Sequence, residues 1–158
     1  MSWYDNAAWI SVSPRLITAR LITLWITLGV LILATAITAL LTQAAWVWTA
    51  PAALAVAGAW ASWIVVRQVT AHAWAETTDD LMVKKGRMFR SVTVVPYGRM
   101  QFVDVKAGPI DRALGIATVQ LHTASPGTDA SIAGVPADEA ARLRDRLTTR
   151  GEARLAGL

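Results

Sequence analysis

The chain has 158 residues, a formal charge of +4 and a hydrophobic fraction of 54%, but only 16% of its residues are charged. Soluble proteins carry about 25% charged residues, so this composition argues against a wholly soluble protein. The chain contains no cysteine, which excludes disulfides, thiolate zinc sites and a cysteine nucleophile. The length allows one domain of ordinary size and at most a small second module.

The longest uncharged segment lies between Arg20 and Arg67, where 46 consecutive residues include no Asp, Glu, Lys, Arg or His. A bilayer core about 30 Å thick requires roughly 20 helical residues, so the segment predicts two crossings. We expect transmembrane helices at 21–41 and 46–66, joined by a turn at 42–45. A cleavable signal peptide fits less well, because its apolar core spans only about 7–15 residues.

Small residues recur along the second predicted span at helical spacing. They are Ala53, Ala57, Gly58 and Ala61. Because small side chains let helices approach closely, we expect these residues to pack within the helical hairpin. Contact with a partner protein is the alternative.

The cationic residues that flank the uncharged segment predict the topology. Arg15 and Arg20 precede the first span and Arg67 follows the second, so the positive-inside rule places both termini and the soluble part in the cytoplasm. Trp3, Tyr4 and Trp9 are expected to be interfacial anchors. The predicted segments are a cytoplasmic N-terminal segment 1–20, the hairpin 21–66, a juxtamembrane linker 67–73, a soluble domain 74–150 and a tail 151–158.

The soluble segment predicts short strands followed by one helix. β-branched and alternating residues indicate strands at 80–84, 87–95, 102–106, 117–123 and 130–133. Turns are expected at Lys85-Gly86 and at 125–128. Over 136–150, Ala140, Leu143 and Leu147 share one helical face, and Gly151 is expected to end the helix.

An ordered series of motifs runs from Val95 to Ala124. Its members are Pro96-Tyr97, Arg99-Met100-Gln101-Phe102-Val103, Gly108-Pro109, Arg112, Gly115-Ile116-Ala117-Thr118-Val119 and Thr123-Ala124. The series resembles the bacterial pleckstrin-homology-like membrane proteins of the YdbS type. The resemblance implies an α+β membrane protein, in which a two-helix transmembrane hairpin is followed by a pleckstrin-homology-like β-sandwich or partial barrel capped by a C-terminal helix. Ala107 and Leu114 replace a glutamine and an aromatic residue that are frequent in the family, so contacts of those side chains are not carried over.

The motif residues themselves have an architectural interpretation. They are Pro96, Tyr97, Arg99, Gln101, Gly108, Pro109, Arg112, Gly115 and Thr123. We expect Gly108-Pro109 and Gly115 to occupy turns with special backbone geometry, and Arg112 to donate to loop carbonyls. We expect Tyr97 to pack against the sheet at a strand end.

Chemistry-bearing patterns are scarce. His72 and His122 lack metal-ligand spacing, and the chain has no phosphate-binding loop or nucleophile elbow. We therefore expect a protein without catalytic residues, metal or cofactor.

One segment carries a cluster of positive charge. Lys84, Lys85, Arg87 and Arg90 lie on one predicted hairpin, and each basic residue near an anionic leaflet contributes about 1 kcal/mol of attraction. We expect contact with membrane lipids, by nonspecific attraction rather than specific headgroup recognition. Nucleic acid is not expected, because the segment has few stacking aromatics.

The functional expectation combines these features with the resemblance. Members of the family are membrane proteins of poorly defined function, often encoded beside a larger relative with more such domains. We therefore expect a scaffold or assembly subunit of the bacterial cytoplasmic membrane, in a hetero-oligomer with another membrane protein, possibly that larger relative. The alternatives are an anionic-lipid sensor and an accessory subunit of an antimicrobial-resistance or export system, to which some family members have been linked.

Overall fold

The computed structural model describes residues 8–86, 91–124 and 129–155. The strands are β1 Ile10–Ser11, β2 Ala73–Glu76, β3 Asp80–Lys85, β4 Ser91–Pro96, β5 Met100–Lys106, β6 Ile116–Thr123 and β7 Ala130–Pro136. The helices are α1 Arg15–Thr42, α2 Thr49–Val69, α3 Pro109–Ala113 and α4 Ala137–Leu155, with 3-10 turns at Ala45–Trp48 and Tyr97–Arg99. The turn expected at 125–128 and the residues Trp3, Tyr4, Arg87 and Arg90 lie outside the described ranges.

Helices α1 and α2 form the first of two compact units, the helical hairpin, which comprises Ile17–Arg67. Both helices are long and apolar enough to cross a membrane, and few of their side chains are buried. The chain reverses close to the predicted turn, where Gln43 adopts a positive φ of 51°. The helices extend beyond the predicted spans, because α1 begins at Arg15 and α2 continues to Val69.

The inner face of the hairpin is built around Gly58. A Cβ atom at this position would lie 2.7 Å from Leu28 Cδ1, so only glycine fits without a shift. The Trp25 indole Nε1 donates a hydrogen bond to Ser62 Oγ at 3.1 Å, and Ser62 Oγ donates to the Gly58 carbonyl at 2.7 Å. Gly58 is therefore in close contact with Leu28 and Trp25 of α1, as small residues permit between packed helices.

The remaining small residues of α2 require a correction. Ala61 is half-buried, but Ala53 and Ala57 are exposed and do not pack within the hairpin. The reason is the helical period: at 100° per residue, Ala53 and Ala57 point away from the face that carries Gly58 and Ser62.

The second unit, which we call the sheet unit, contains two antiparallel sheets. Sheet A has the order β1-β2-β3-β4 and sheet B the order β5-β6-β7. The alternation predicted for β6 is confirmed, because Ala117, Val119 and Leu121 are buried in the shared core. Helix α4 covers this core with its predicted face of Ala140, Leu143 and Leu147, all fully buried.

Strand β1 shows that the sheet unit begins before the helical hairpin. Ile10 pairs with Trp74 and Ser11 pairs with Ala73, so residues on both sides of the hairpin share one sheet. This corrects the expectation of a soluble domain that simply follows the hairpin and begins at residue 74. A strand of two residues has no periodicity from which it could be predicted.

The first turn of α1 is held against sheet B. Gly134 has a φ of +75°, and a Cβ atom there would lie 2.7 Å from Leu16 Cβ. The Ser13 amide donates to the Gly134 carbonyl at 2.9 Å, and Arg15 Nη1 donates to the Leu114 carbonyl at 3.2 Å. Gly115, with a φ of +67°, lies beside the Arg15 guanidinium. These contacts fix the position at which the chain leaves the sheet unit and enters α1.

The end of α4 differs from the prediction. Gly151 does not terminate the helix, which continues to Leu155, so the segment 151–155 is helical rather than a tail. A Cβ atom at Gly151 would lie 3.6 Å from the Tyr97 carbonyl oxygen. That distance is an ordinary van der Waals contact, so Gly151 is a buried residue inside α4 at which a Cβ atom would also fit.

The contact between Leu16 and Gly134 predicts a sensitive position. Gly134→Ala combines an unfavourable φ with a steric conflict, and we expect it to lower the free energy of unfolding by more than about 1 kcal/mol. Gly29→Ala is the matched control, because nothing lies within 4 Å of the added Cβ atom and alanine favours a helix. Thermal unfolding in detergent, followed by near-ultraviolet circular dichroism, compares the two. Equal stability of Gly134→Ala and the parent protein would contradict this packing.

Candidate functional site

The register of sheet A determines where the basic segment lies. Ser11 and Lys84 both pair with Ala73, and Lys85 pairs with Ser91. The end of β3 and the start of β4 are therefore at the same end of sheet A as the end of β1 and the start of β2. The chain leaves for α1 and returns from α2 at this end, which we call the proximal end. Arg87 and Arg90 lie outside the described residues.

The two described lysines of the basic segment have different environments. The Lys84 ammonium lies 5.5 Å from the centroid of the Trp9 ring, a cation–π distance. Lys85 Nζ lies on the other face and donates to Ser131 Oγ of β7 at 2.8 Å. Strand alternation separates these two side chains, so they do not converge on one headgroup.

Tyr97 links the end of β4 to α4 and β2. Its buried hydroxyl donates to the Thr77 carbonyl at 3.2 Å and accepts from Arg150 Nη1 at 3.0 Å. Arg150 also pairs with Glu76 at 3.1 Å. Burial raises the pKa of Tyr97, and the hydrogen bond from Arg150 opposes part of that rise. Tyr97 has the packing position that its motif predicts, with a polar network in addition.

The Gly108-Pro109 motif begins a short helix that the sequence did not predict. Pro109 is the first residue of α3, where its missing amide hydrogen costs little. Gly108 has an ordinary φ of −70°, so the expectation of unusual backbone geometry is wrong there and right only for Gly115. Arg112 Nε donates to the Ala107 carbonyl at 3.2 Å, the kind of contact expected for it.

Three other motif residues lie where β5 meets β6. Arg99 is exposed and its carbonyl accepts from the Ala124 amide at 3.3 Å. Gln101 is exposed at the register shift between Met100 and Phe102. Thr123 is buried, and its amide donates to Asp129 Oδ1 at 2.8 Å, which lowers the pKa of that carboxyl. These contacts are those of a fold signature.

His122 belongs to a cluster that the sequence did not predict. Its Nδ1 lies 3.2 Å from Asp129 Oδ2 and its Nε2 lies 3.9 Å from Asp104 Oδ2. The ring stacks on Phe102 with a centroid distance of 4.4 Å. Pairing Phe102 with His122 requires the strand register, which the alternation of each strand alone does not supply. Among the described residues, no group of three potential ligands could hold a metal ion.

The comparisons with known proteins identify a family and nothing finer. A family model described as a bacterial PH domain matches residues 16–150. No curated protein matches the chain, and no solved structure does. The match includes both helices of the hairpin and nearly all of the sheet unit. Two antiparallel sheets with a C-terminal helix agree with a PH-like fold, and the YdbS-type subgroup remains a prediction.

The Tyr97 network predicts a dependence of stability on pH. Tyr97→Phe removes two buried hydrogen bonds and should lower the free energy of unfolding by about 1–3 kcal/mol. In the parent protein, stability should also fall as pH rises above 10.0, the ordinary tyrosine pKa. There the unfolded chain releases the Tyr97 proton while the folded chain retains it.

Urea titrations across this pH range compare three proteins. The free energy of unfolding of Tyr97→Phe should decline less at alkaline pH than that of the parent protein, because the variant has no hydroxyl to titrate at this position. Thr149→Val is the control, because its hydroxyl bonds only to Asp145 of its own helix and its stability should decline as in the parent. An alkaline decline in Tyr97→Phe as steep as that of the parent would contradict the assignment.

Proposed function

Because the chain belongs to the bacterial PH domain family, we propose that it is a membrane-anchored scaffold that assembles with a second membrane protein. PH-like domains are generally non-catalytic, and we propose the same of this chain. The partner is an integral membrane protein of the bacterial cytoplasmic membrane, and a larger relative with further PH-like domains is the first candidate.

The composition and exposure of the hairpin support anchoring in a membrane. The core helix of a soluble protein buries its large apolar side chains, whereas α1 and α2 leave most of theirs exposed. Among these exposed residues are Ile26, Leu33, Leu40, Val56 and Trp60. A hydrocarbon environment stabilises such a surface. The flanking residues Arg15, Arg20 and Arg67 favour cytoplasmic termini and a cytoplasmic sheet unit.

The proposal of a partner protein is based on the outward position of Ala53 and Ala57. Both are exposed on α2, one helical turn apart, while Gly58 and Ser62 make the contacts inside the hairpin. Small residues at this spacing favour close packing of another membrane helix. The hairpin thus has one small-residue face for its own closure and another available for assembly.

The alternative functions receive less support. A lipid sensor with a headgroup pocket requires cationic side chains that converge, but of the cluster's two described members Lys84 contacts Trp9 and Lys85 contacts Ser131. An autonomous transporter requires polar groups along a path through the membrane, and residues 21–66 contain no ionisable side chain of the five charged types. An accessory role in an export system is compatible with a scaffold, but no observation favours it.

A matched pair of double variants tests the assembly face. The tagged protein is purified from its native membrane in mild detergent, washed with salt and analysed by mass spectrometry for a stoichiometric membrane protein. Ala53→Leu with Ala57→Leu should reduce recovery of that partner tenfold or more, because two overpacked positions cost about 1–3 kcal/mol each.

The control is Ala52→Leu with Ala59→Leu. These residues are also exposed on α2 but lie on another face, since each residue turns the helix by about 100°. This variant should retain the partner. Recovery of the parent protein alone, or an equal loss of partner in both double variants, would contradict the proposed face.

A further inference from the structure

Strand β5 is an edge strand, with a partner on one side only among the described residues. Sheet B has the order β5-β6-β7, so β5 pairs with β6 alone. The other edge of such a strand presents backbone N–H and C=O groups to any strand that can lie beside it. Helix α4 packs against the start of β5, where Met100 is buried. Farther along the strand, Gln101, Phe102, Val105 and Lys106 are exposed.

The other described sheet edges are less suited to pair with a further strand. Strand β1 has only two residues. Strand β7 is already contacted, because the Ser13 amide donates to its Gly134 carbonyl and Lys85 Nζ donates to its Ser131 hydroxyl. Strand β4 ends in Pro96, which has no amide hydrogen to donate. Strand β5 has seven residues and no such restriction.

The core-facing side of β5 is apolar and incompletely covered. Val105 pairs with Val119, which is fully buried in the core, so both side chains lie on the same face of sheet B. Val105 is nevertheless 36% exposed. Val103 and Ala107 alternate with it on this face and are partly buried against the core. The described part of the chain therefore leaves the apolar face of β5 open at the edge.

The opposite side of β5 carries two opposite charges at alternate positions. Phe102, Asp104 and Lys106 share this face, because strand residues two positions apart point the same way. The Asp104 side chain is 47% exposed, and His122 of β6 lies beside it at 3.9 Å. Lys106 is exposed. A strand with an acidic and a basic residue two positions apart is complementary to an antiparallel copy of itself.

We propose that the free edge of β5 pairs with β5 of a second copy of this chain, antiparallel and about a two-fold axis at Val105. Each Asp104 then lies opposite Lys106 of the other copy. The two Val105 side chains lie opposite each other and cover the open edge of the core. The interface is isologous, so both charge contacts and the apolar contact arise from one strand.

Charge complementarity selects this register over its neighbours. Opposite charges directly across two strands stabilise the pairing, and like charges destabilise it. An axis at residue 104 would oppose two aspartates, and an axis at residue 106 would oppose two lysines. An axis at Val103 would bring the register shift between Met100 and Phe102 into the pairing. The inference relies neither on the membrane anchoring nor on the proposed partner of α2.

A single cysteine at the proposed axis tests the pairing, because the chain has no cysteine of its own. Val105→Cys places the two thiols of a dimer on Cβ atoms about 5 Å apart. A short thiol crosslinker should therefore convert most of the full-length protein, in mild detergent, into a covalent dimer. Val92→Cys of β4 is the matched control, because Val92 is 37% exposed and Val105 is 36% exposed. This control should remain monomeric on the same gel.

Charge reversal tests the register. Asp104→Lys alone, or Lys106→Asp alone, opposes like charges at two symmetric contacts. Either should raise the dissociation constant of the dimer about tenfold, measured by sedimentation equilibrium in density-matched detergent. Asp104→Lys combined with Lys106→Asp restores both opposite-charge pairs and should return the dissociation constant to within about threefold of the parent value. Circular dichroism verifies that each variant is folded.

Three results would overturn the inference. One is equal crosslinking of Val105→Cys and Val92→Cys. Another is a combined charge-reversal variant that dimerises as weakly as the single variants. The third is crosslinking at position 105 only to a different protein, which would make the edge a site for another partner. Ala53→Leu with Ala57→Leu should leave the β5 dimer intact, so failure of this inference and failure of the proposed assembly face are distinguishable.

Discussion

The pairing of β1 with β2 is the constraint on which the rest of the structure depends. Ser11 and Ala73 are neighbours in sheet A although the whole helical hairpin lies between them in sequence. The hairpin is therefore an insertion between two paired strands, with three residues between β1 and α1 and three between α2 and β2. Within the sheet unit, Ser13 and Leu16 also contact Gly134 of sheet B. Both sheets thus fix the start of α1.

This arrangement gives the proposed functions a common physical basis. The pairing of β1 with β2 holds the proximal end of sheet A next to the two connections, and the register brings Lys84 and Lys85 to that same end. Lys84 and Trp9 make a cation–π contact there although 75 positions separate them in sequence. Ala53 and Ala57 remain available on α2 because Gly58 and Ser62 already close the hairpin. In our proposal, the hairpin therefore closes on itself and still presents small residues to a partner helix.

The sequence predicted those features that repeat over many residues. The uncharged run defines the hairpin, the alternation along β6 defines a buried face, and the helical period of Ala140, Leu143 and Leu147 defines the core side of α4. Prediction from the sequence failed where the structure depends on contacts between distant segments. The two-residue strand β1 exists only through its partner β2, and the five-residue helix α3 is too short for a period to emerge.

Single residues were harder to interpret than patterns. Glycine commonly ends a helix, but Gly151 is buried inside α4, which continues to Leu155. Lys84 and Lys85 are adjacent in sequence but lie on opposite faces. The cluster around His122 needs the register of β5 against β6. Each case depends on which residue lies across the sheet or beneath the helix. The pattern of residues along a single sequence does not reveal these contacts.

Pairing of β1 with β2 in the full-length protein is the most direct test of this account. Ser11→Cys and Ala73→Cys introduce two thiols into a chain that has none, and a protease site is inserted between Gln43 and Ala44. After treatment with a short thiol crosslinker and cleavage, the two fragments should remain joined, because paired residues have Cβ atoms about 5 Å apart. Each single-cysteine variant should separate into fragments. Separation of the double-cysteine protein, under conditions where a Lys84→Cys and Val92→Cys pair crosslinks within its own fragment, would contradict the account.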